Sequence, residues 1–110
     1  MTGSNPSDQE LPSVQDIDRL IHEPARLTIL IHLYVLKSAD YVFLTQQTGL
    51  TWGNLSAHLA KLEEAGYIKI EKKFVDRRPY TLVHLTEQGR AAFRAYQRQM
   101  KHLFEELDEF

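Results

Sequence analysis

The chain contains no cysteine among its 110 residues. This absence excludes disulfide bonds, thiolate zinc sites and thiol nucleophiles, and it is compatible with a reducing compartment. The sequence also has no apolar run near the roughly 20 residues that cross a bilayer. Its opening lacks the basic-then-apolar order of a secretion signal. We therefore expect a cytoplasmic protein with no membrane partner.

The formal net charge is small, at -2, but it is unevenly distributed. Residues 1 to 23 hold one basic and five acidic side chains, for a net charge of -4. Residues 66 to 82 hold five basic and two acidic side chains, for a net charge of +3. A short basic stretch of this kind is typical of a surface that meets phosphate groups, whereas the acidic segment should avoid them.

The length predicts one domain with a modest core. Residues 1–12 are polar, contain two prolines and one glycine, and are predicted to be disordered. Residues 13–86 are predicted to form the folded domain, and residues 87–110 to form one long helix. No internal repeat indicates a second domain.

Two helical segments are predicted before residue 39. Ser13 can cap a short helical turn that ends near His22. Pro24 suits the first turn of a central helix that continues to Ser38, because the missing N–H of proline is no loss there. The residues expected to face the core have helical spacing: Val14, Ile17, Leu20, Ile21, Leu27, Leu30, Ile31, Tyr34 and Val35.

A second pair of helices is predicted by capping residues and a glycine turn. Asp40 can cap a short helix that Gly49 closes, with Val42, Phe43 and Thr45 facing inward. Thr51 can cap the next helix, which should stop at Gly66. Its buried stripe has helical spacing and consists of Leu55, Leu59 and Leu62.

The apolar period then changes to alternation, which predicts strands over residues 67–75 and 80–85, joined by the basic turn VDRRPY. A hairpin after two short helices indicates a helix-turn-helix with a wing. The predicted fold class is α+β, mostly α: a three-helix core, a two-stranded wing and an extended C-terminal helix.

The C-terminal helix, which Thr86 can cap, has an apolar seam with alternating spacings of three and four residues. That seam would extend about 26 Å at 1.5 Å per residue, which is more than a small core covers, and Phe104 adds to it. A second copy of the chain is the expected cover. The predicted dimer interface is Phe93, Tyr96, Met100, Leu103, Leu107 and Phe110.

Two motifs carry a resemblance to a known family. One is G-L-T-x-x-x-L-S-x-H-L-x-x-L-E-x-A-G-Y-I over residues 49–68, and the other is D-x-R followed by L-T-x-x-G over residues 76–89. Over residues 16–97 the chain resembles small winged-helix transcriptional regulators of the MarR and ArsR type. The resemblance implies a regulator, not an enzyme, that binds double-stranded DNA.

The resemblance also implies which parts would bind DNA. The helix from Thr51 to Ala65 would enter the major groove, and the wing would reach the backbone or the minor groove. Arg78 would be the wing arginine, with Asp76 as its partner. The predicted DNA-binding residues are, on the helix, Thr51, Trp52, Asn54, Ser56, Ala57, His58 and Lys61, and, on the wing, Lys73, Arg77 and Arg78.

The helix residues agree with this reading, because the face opposite the leucines carries small and polar groups. Asn54 and Ser56 can hydrogen bond to base edges, Ala57 can touch a thymine methyl, and His58 or Lys61 can reach guanine or phosphate. A plain solvated helix face and a basic hairpin that only aids solubility remain alternatives. Two placements fit Trp52: stacking on sugar and phosphate, or packing inward against the first helix.

Other chemistries have little support in the sequence. The five histidines show no zinc-binding spacing, and His102 with Glu105 and Glu106 lacks the motifs of metal sensors. No metal, cofactor or catalytic site is therefore predicted. A two-fold dimer would favour a palindromic operator. The alternatives are a winged helix that only binds proteins, and a variant that responds to a metal or to a small molecule near Tyr34.

Overall fold

A computed structural model describes residues 13–110. The predicted disordered tail, residues 1–12, lies outside these residues. The described chain contains four helices and three strands, in the order α1 (Pro24–Leu36), β1 (Ser38–Asp40), α2 (Tyr41–Thr48), α3 (Trp52–Glu64), β2 (Ile68–Val75), β3 (Arg78–Leu85) and α4 (Glu87–Leu107). None of the helices within this range has the length and hydropathy of a membrane span.

The sheet is antiparallel and has the strand order β1-β3-β2. The long hairpin pairs Ile70 with Val83, and the short first strand pairs Ala39 with the same Val83 from the other side. The predicted wing had only two strands. Strand β1 has a sequence, SAD, with little strand propensity, and it exists because the edge of β3 offers it hydrogen-bonding partners.

The core lies between the three helices of the N-terminal half and the inner face of the sheet. The buried stripe of α3 is the predicted one, and it packs with apolar side chains of α1, α2 and the sheet. Burying each of these side chains contributes about 1.5–3 kcal/mol. The large side chains that are fully buried are Ile21, Ile29, Leu30, Leu33, Leu44, Leu55, Leu59, Leu62 and Val83.

The inward faces of α1 and α2 differ from the predicted ones. In α1 the buried side chains are Arg26, Ile29, Leu30 and Leu33, so the predicted inward placement of Ile31 and Val35 is wrong, and Val35 is 73% exposed. In α2, Tyr41 and Leu44 are buried and Val42 is exposed. Apolar residues next to the buried stripe of a helix also recur three or four positions apart. The spacing alone therefore did not show which apolar residues of α1 and α2 face the core.

Residues 13–22 form turns rather than the predicted helical turn. Asp18 holds this segment, because its Oδ1 accepts the backbone N–H of Leu20 at 2.9 Å and its Oδ2 accepts the hydroxyl of Tyr67 at 2.6 Å. Ile17 and Ile21 are buried beneath it. Burial, with the hydrogen bond to Asp18, raises the pKa of Tyr67 to about 12.

The predicted caps of α2, α3 and α4 are confirmed. The side chains of Asp40, Thr51 and Thr86 accept the N–H groups of the first turns. Gly49 closes α2 in the left-handed conformation, with φ of 69°. The hydroxyl of Thr86 also donates to the carbonyl of Gly66 at 2.6 Å. The start of α4 is thereby fixed to the end of α3.

Candidate nucleic-acid interface

The outward face of α3 is the first part of the candidate site. Thr51 begins the helix by accepting the N–H of Asn54 at 3.1 Å, and the three buried leucines fix its orientation. A Cβ added at Gly53 would have no neighbour within 4 Å, which shows how open this face is. Nine residues of α3 are exposed: Trp52, Gly53, Asn54, Ser56, Ala57, Ala60, Lys61, Glu63 and Glu64.

Trp52 packs on the side chain of Tyr41 in α2 and remains largely exposed. Its ring packs on that of Tyr41, with centroids 4.0 Å apart at an angle of 31°, yet the side chain is 59% exposed. The Tyr41 hydroxyl donates to the Trp52 carbonyl at 2.8 Å and also contacts the hydroxyl of Ser56. Tyr41 therefore supports the indole from behind and uses part of the hydrogen-bonding capacity of Ser56.

His58 does not lie with the other predicted DNA-binding residues of α3. It is half-buried, and its Nδ1 accepts a hydrogen bond from Arg26 Nη1 at 3.1 Å. Arg26 is 9% exposed and also donates from Nε to the carbonyl of Leu20 at 2.6 Å. The imidazole thus ties α3 to α1 instead of facing outward.

Arg26 is a structural residue that the sequence analysis missed. Arg26 precedes Ile29 by three residues and Leu33 by seven. This helical spacing places Arg26 on the buried side of α1, and it could have revealed the buried position. Glu23 lies beside the pair, with Oε1 3.9 Å from His58 Nδ1. Partial burial raises the pKa of Glu23, but the N–H of Arg26 and the electrostatic interactions with His58 and Arg26 outweigh this effect, so the net pKa is below the usual value.

The wing is the second part of the candidate site. The turn between β2 and β3 contains only Asp76 and Arg77, with φ angles of 51° and 66°, the pattern of a type I′ turn. Arg78 lies in β3 and pairs with Val75. The predicted turn of six residues is therefore shorter in the structure, and the strands extend almost to the tip.

The two arginines of the wing are exposed and have no carboxylate partner within residues 13–110. The predicted pairing of Asp76 with Arg78 is accordingly not found. Lys73, unlike the two arginines, has a carboxylate partner, because its Nζ lies 3.6 Å from Oε1 of Glu71. A hydrogen bond from His84, at 2.9 Å, is the main cause of a lowered pKa for Glu71.

The two parts lie beside each other. A cleft of about 350 Å³ separates them, with side chains of α3 on one wall and strand residues of the wing on the other. The helix side includes Trp52, Ser56 and Ala60, and the strand side includes Lys72 and Thr81. The exposed face of α3 and the base of the wing thus form one continuous side of the domain.

The predicted seam of α4 divides into two parts. Phe93 and Tyr96 lie in the core of the chain itself rather than on its surface. Their rings pack near Tyr34, at 5.0 Å from Phe93, and near His22, at 5.8 Å from Tyr96. Towards the C-terminus the seam is progressively less covered: Met100 and Leu103 are half-buried, and Phe104, Leu107 and Phe110 are exposed.

Known proteins share this architecture. The chain is 36% identical over 78 residues to an uncharacterised protein of Methanocaldococcus jannaschii, which covers 71% of this chain and 85% of that protein. It is 31% identical to a transcriptional regulator homologue of Pyrococcus horikoshii OT3, with a TM-score of 0.78 and coverage of 83% and 90% of the two chains. A structure of reduced AbfR bound to DNA is 26% identical, with a TM-score of 0.55 and coverage of 76% and 65%.

More distant structures include a MarR-family regulator and an ArsR-family regulator, which share the fold with this chain. The family described as "Winged helix DNA-binding domain" matches residues 25–104. Winged-helix transcriptional regulators are not enzymes, in agreement with the sequence analysis. The chain therefore belongs to the winged helix DNA-binding domain family, with MarR- and ArsR-type transcriptional regulators as its structural neighbours.

Proposed function

We propose that this protein regulates transcription as a homodimer that binds a specific duplex DNA sequence. The observation that carries the proposal is the position of the unpartnered polar face of α3 beside a wing whose arginines meet no carboxylate in the described chain. A helix of this kind fits the major groove, and free guanidinium groups fit phosphate or a narrow minor groove.

The roles on α3 follow from side-chain size and hydrogen-bonding groups. Asn54 has an exposed amide that can bond bidentately to adenine, and Lys61 can reach guanine or phosphate. Gly53, Ala57 and Ala60 are exposed and small, so the helix backbone can come close to the base edges. His58, held by Arg26, positions the helix and is not assigned to a base.

The conformation of Arg77 supports a functional wing. A residue with a side chain costs roughly 1–2 kcal/mol in the left-handed region relative to glycine, and type I′ turns favour Asn-Gly. This turn instead has Asp76 and Arg77, both with positive φ. Such strain is typical of positions kept for function, and a phosphate contact by the guanidinium would supply that function.

Two exposed apolar surfaces, one at the C-terminal end of α4 and one on α1, support the proposed homodimer. Phe104 and Leu107 are exposed at the end of α4, Phe110 is exposed three residues beyond it, and Ile31 and Val35 are exposed on α1. A stable interface usually buries about 800 Å² on each partner, and these side chains provide its apolar centre. We infer that the end of α4 from each copy packs on α1 of the other.

The charges of α4 favour an antiparallel arrangement of the two helices. Arg94 packs on Tyr34, donating from Nε to its hydroxyl at 3.0 Å, and has no carboxylate partner in residues 13–110. Glu105 lies eleven residues later, which is about three turns, so it is on the same flank. In an antiparallel pair, Arg94 of one copy would face Glu105 of the other.

Sedimentation equilibrium tests this dimer. Each dimer would contain two such contacts, each contributing about 0.5 kcal/mol on an exposed surface. Glu105→Arg makes both repulsive, which should cost about 2 kcal/mol, or roughly 30-fold in the dimer Kd. Adding Arg94→Glu should restore the dimer. Unchanged association in both variants, or a monomeric wild-type protein, would contradict the arrangement.

A two-fold dimer would present two copies of α3 about 34 Å apart, one turn of DNA. The expected operator is therefore palindromic. Selection of bound duplexes from a random-sequence pool, followed by sequencing, would reveal the half-sites. Selected sequences without two-fold symmetry would contradict the dimeric binding mode while leaving DNA binding itself intact.

Titration of a selected duplex at several salt concentrations tests the DNA-binding roles. Arg78→Ala removes a phosphate contact, so affinity should fall for every duplex and the salt slope should flatten by about 1. Asn54→Ala should instead cost about 1–3 kcal/mol on the selected site and little on unrelated DNA. Binding that does not depend on salt, or equal effects of the two substitutions, would contradict the assigned roles.

A further inference from the structure

Phe74 is an aromatic side chain that the fold leaves in solvent. It is 76% exposed, the most exposed large apolar side chain between residues 13 and 103. It lies two residues before the turn of the wing, at the far end of β2. Phenylalanine normally buries 150–250 Å², about the largest apolar contribution of any side chain. Phe74 forms an apolar patch with Pro79, its exposed pairing partner on β3, and an exposed patch of this kind indicates contact with something outside the domain.

The face on which Phe74 lies follows from the strand register. Side chains alternate between the two faces of a strand, and paired residues share a face. Phe74 pairs with Pro79, and it shares its face with Lys72 and Thr81, which line the cleft next to α3. The apolar pair of Phe74 and Pro79 therefore lies on the side of the domain that carries α3. Val75 and its pairing partner Arg78 lie on the opposite face of the hairpin, from which the long guanidinium side chain, unlike the valine, can reach phosphates beside the groove.

The surroundings of Phe74 are basic. Five of the residues between 66 and 82 are lysine or arginine against two acidic ones, and Arg77 at the tip is exposed. An apolar ring within a cationic surface is complementary to a DNA groove, which has phosphate walls and an apolar interior of stacked bases. Lysines on the edge strand β2 also discourage pairing with another sheet, which argues against self-association through the wing.

We propose that Phe74, backed by Pro79, inserts between base pairs in the minor groove and bends the DNA under the wing. This inference rests on the proposed duplex binding and adds to it a second means of recognition. Apolar wedges that enter the minor groove open a base step and kink the duplex by about 20–90°. Pyrimidine–purine steps open most easily, so the wing would prefer them without any hydrogen bond to a base.

The test compares bend and binding in the same samples. A duplex recovered by selection from a random pool is labelled at its two ends, and energy transfer between the labels reports the bend. A second duplex carries 2-aminopurine at the step under the wing, located by footprinting, because its fluorescence rises when the base is unstacked. The variants are Phe74→Ala, Phe74→Leu and, as a matched control, Val75→Ala, which removes an exposed apolar side chain from the other face.

The wild-type protein and Val75→Ala should bend the duplex by about 20° or more and should raise the 2-aminopurine signal. Phe74→Ala should still bind with an unchanged salt slope, since no phosphate contact is removed, but both the bend and the signal should disappear. Phe74→Leu should keep part of each, because leucine also acts as a wedge.

Three results would overturn the inference. They are an unbent duplex with wild-type protein, a bend that survives in Phe74→Ala, and an equal loss in Val75→Ala. A wild-type protein that binds no duplex would overturn the proposed function as well. That outcome is distinct, since the first three all require bound DNA.

Discussion

Gly89 offers a quantitative test of how α4 is fixed to the DNA-binding core. This glycine ends the L-T-x-x-G motif and lies in the first turn of α4. A Cβ built on it would lie 2.1 Å from the carbonyl oxygen of Tyr67 and 2.9 Å from Cδ1 of Leu85. Ordinary contact begins at 3.4 Å, so Gly89→Ala forces the start of the helix to move by more than about 1 Å. Close packing against Tyr67 and Leu85 therefore explains why the motif has a glycine at this position.

The expected cost combines three effects. Overpacking of this kind costs about 1–3 kcal/mol. Moving the helix also disturbs the cap made by Thr86, which accepts the N–H of Gly89 at 2.9 Å, for about 1 kcal/mol. Alanine regains about 1 kcal/mol of helix propensity. The net loss should be about 1–3 kcal/mol, which corresponds to a fall in Tm of roughly 5–20 °C for a domain of this size.

Gly53→Ala is the matched control, because the same substitution in α3 meets no atom within 4 Å. It should stabilise the fold by about 0.5–1 kcal/mol and raise the Tm by a few degrees. Thermal and urea unfolding followed by far-UV circular dichroism would measure both, at one protein concentration, since dimerisation would add to stability. Equal effects from the two substitutions would refute the packing argument.

Three further results are expected. The Tyr67 hydroxyl donates to Asp18, and its raised pKa means that this contribution to stability is complete below pH 10 and is lost as the pH rises towards 12; in urea unfolding, the difference between wild type and Tyr67→Phe should shrink over that interval. Arg77→Gly should raise the Tm, because glycine suits the positive φ, but should weaken duplex binding in the salt titration. Trp52, the only tryptophan, should be quenched by acrylamide in the free protein and protected when duplex is added; quenching that is unaffected by bound DNA would remove Trp52 from the interface.

Capping chemistry and the leucine stripe of α3 explain why most of the fold could be predicted. An N-cap is a local feature, because Asp40, Thr51 and Thr86 each bond to a backbone N–H three residues later, and sequence reports such neighbours directly. Strand β1 could not be found in this way. Its three residues are a strand only through pairing with β3, a contact more than 40 residues away in the chain.

Parts of the candidate site could likewise be predicted from local sequence patterns, whereas other parts depend on contacts between distant residues. The exposed face of α3 and the basic wing follow from periodicity and charge, which are properties of the sequence. His58 could not be placed, since its partner Arg26 lies 32 residues earlier and a buried arginine is rare. The seam of α4 also needed the structure, because only packing shows that Tyr34 and His22 cover its first two aromatic residues.

The central claim is that the outward face of α3 and the tip of the wing form one surface for duplex DNA. Backbone amide chemical shifts of the ¹⁵N-labelled protein, recorded while a selected duplex is added, test it most directly. The account predicts that the largest changes fall on residues 52–61 and on the turn at Asp76 and Arg77. Changes confined to the exposed end of α4 or to α2, with α3 and the wing unaffected, would contradict it.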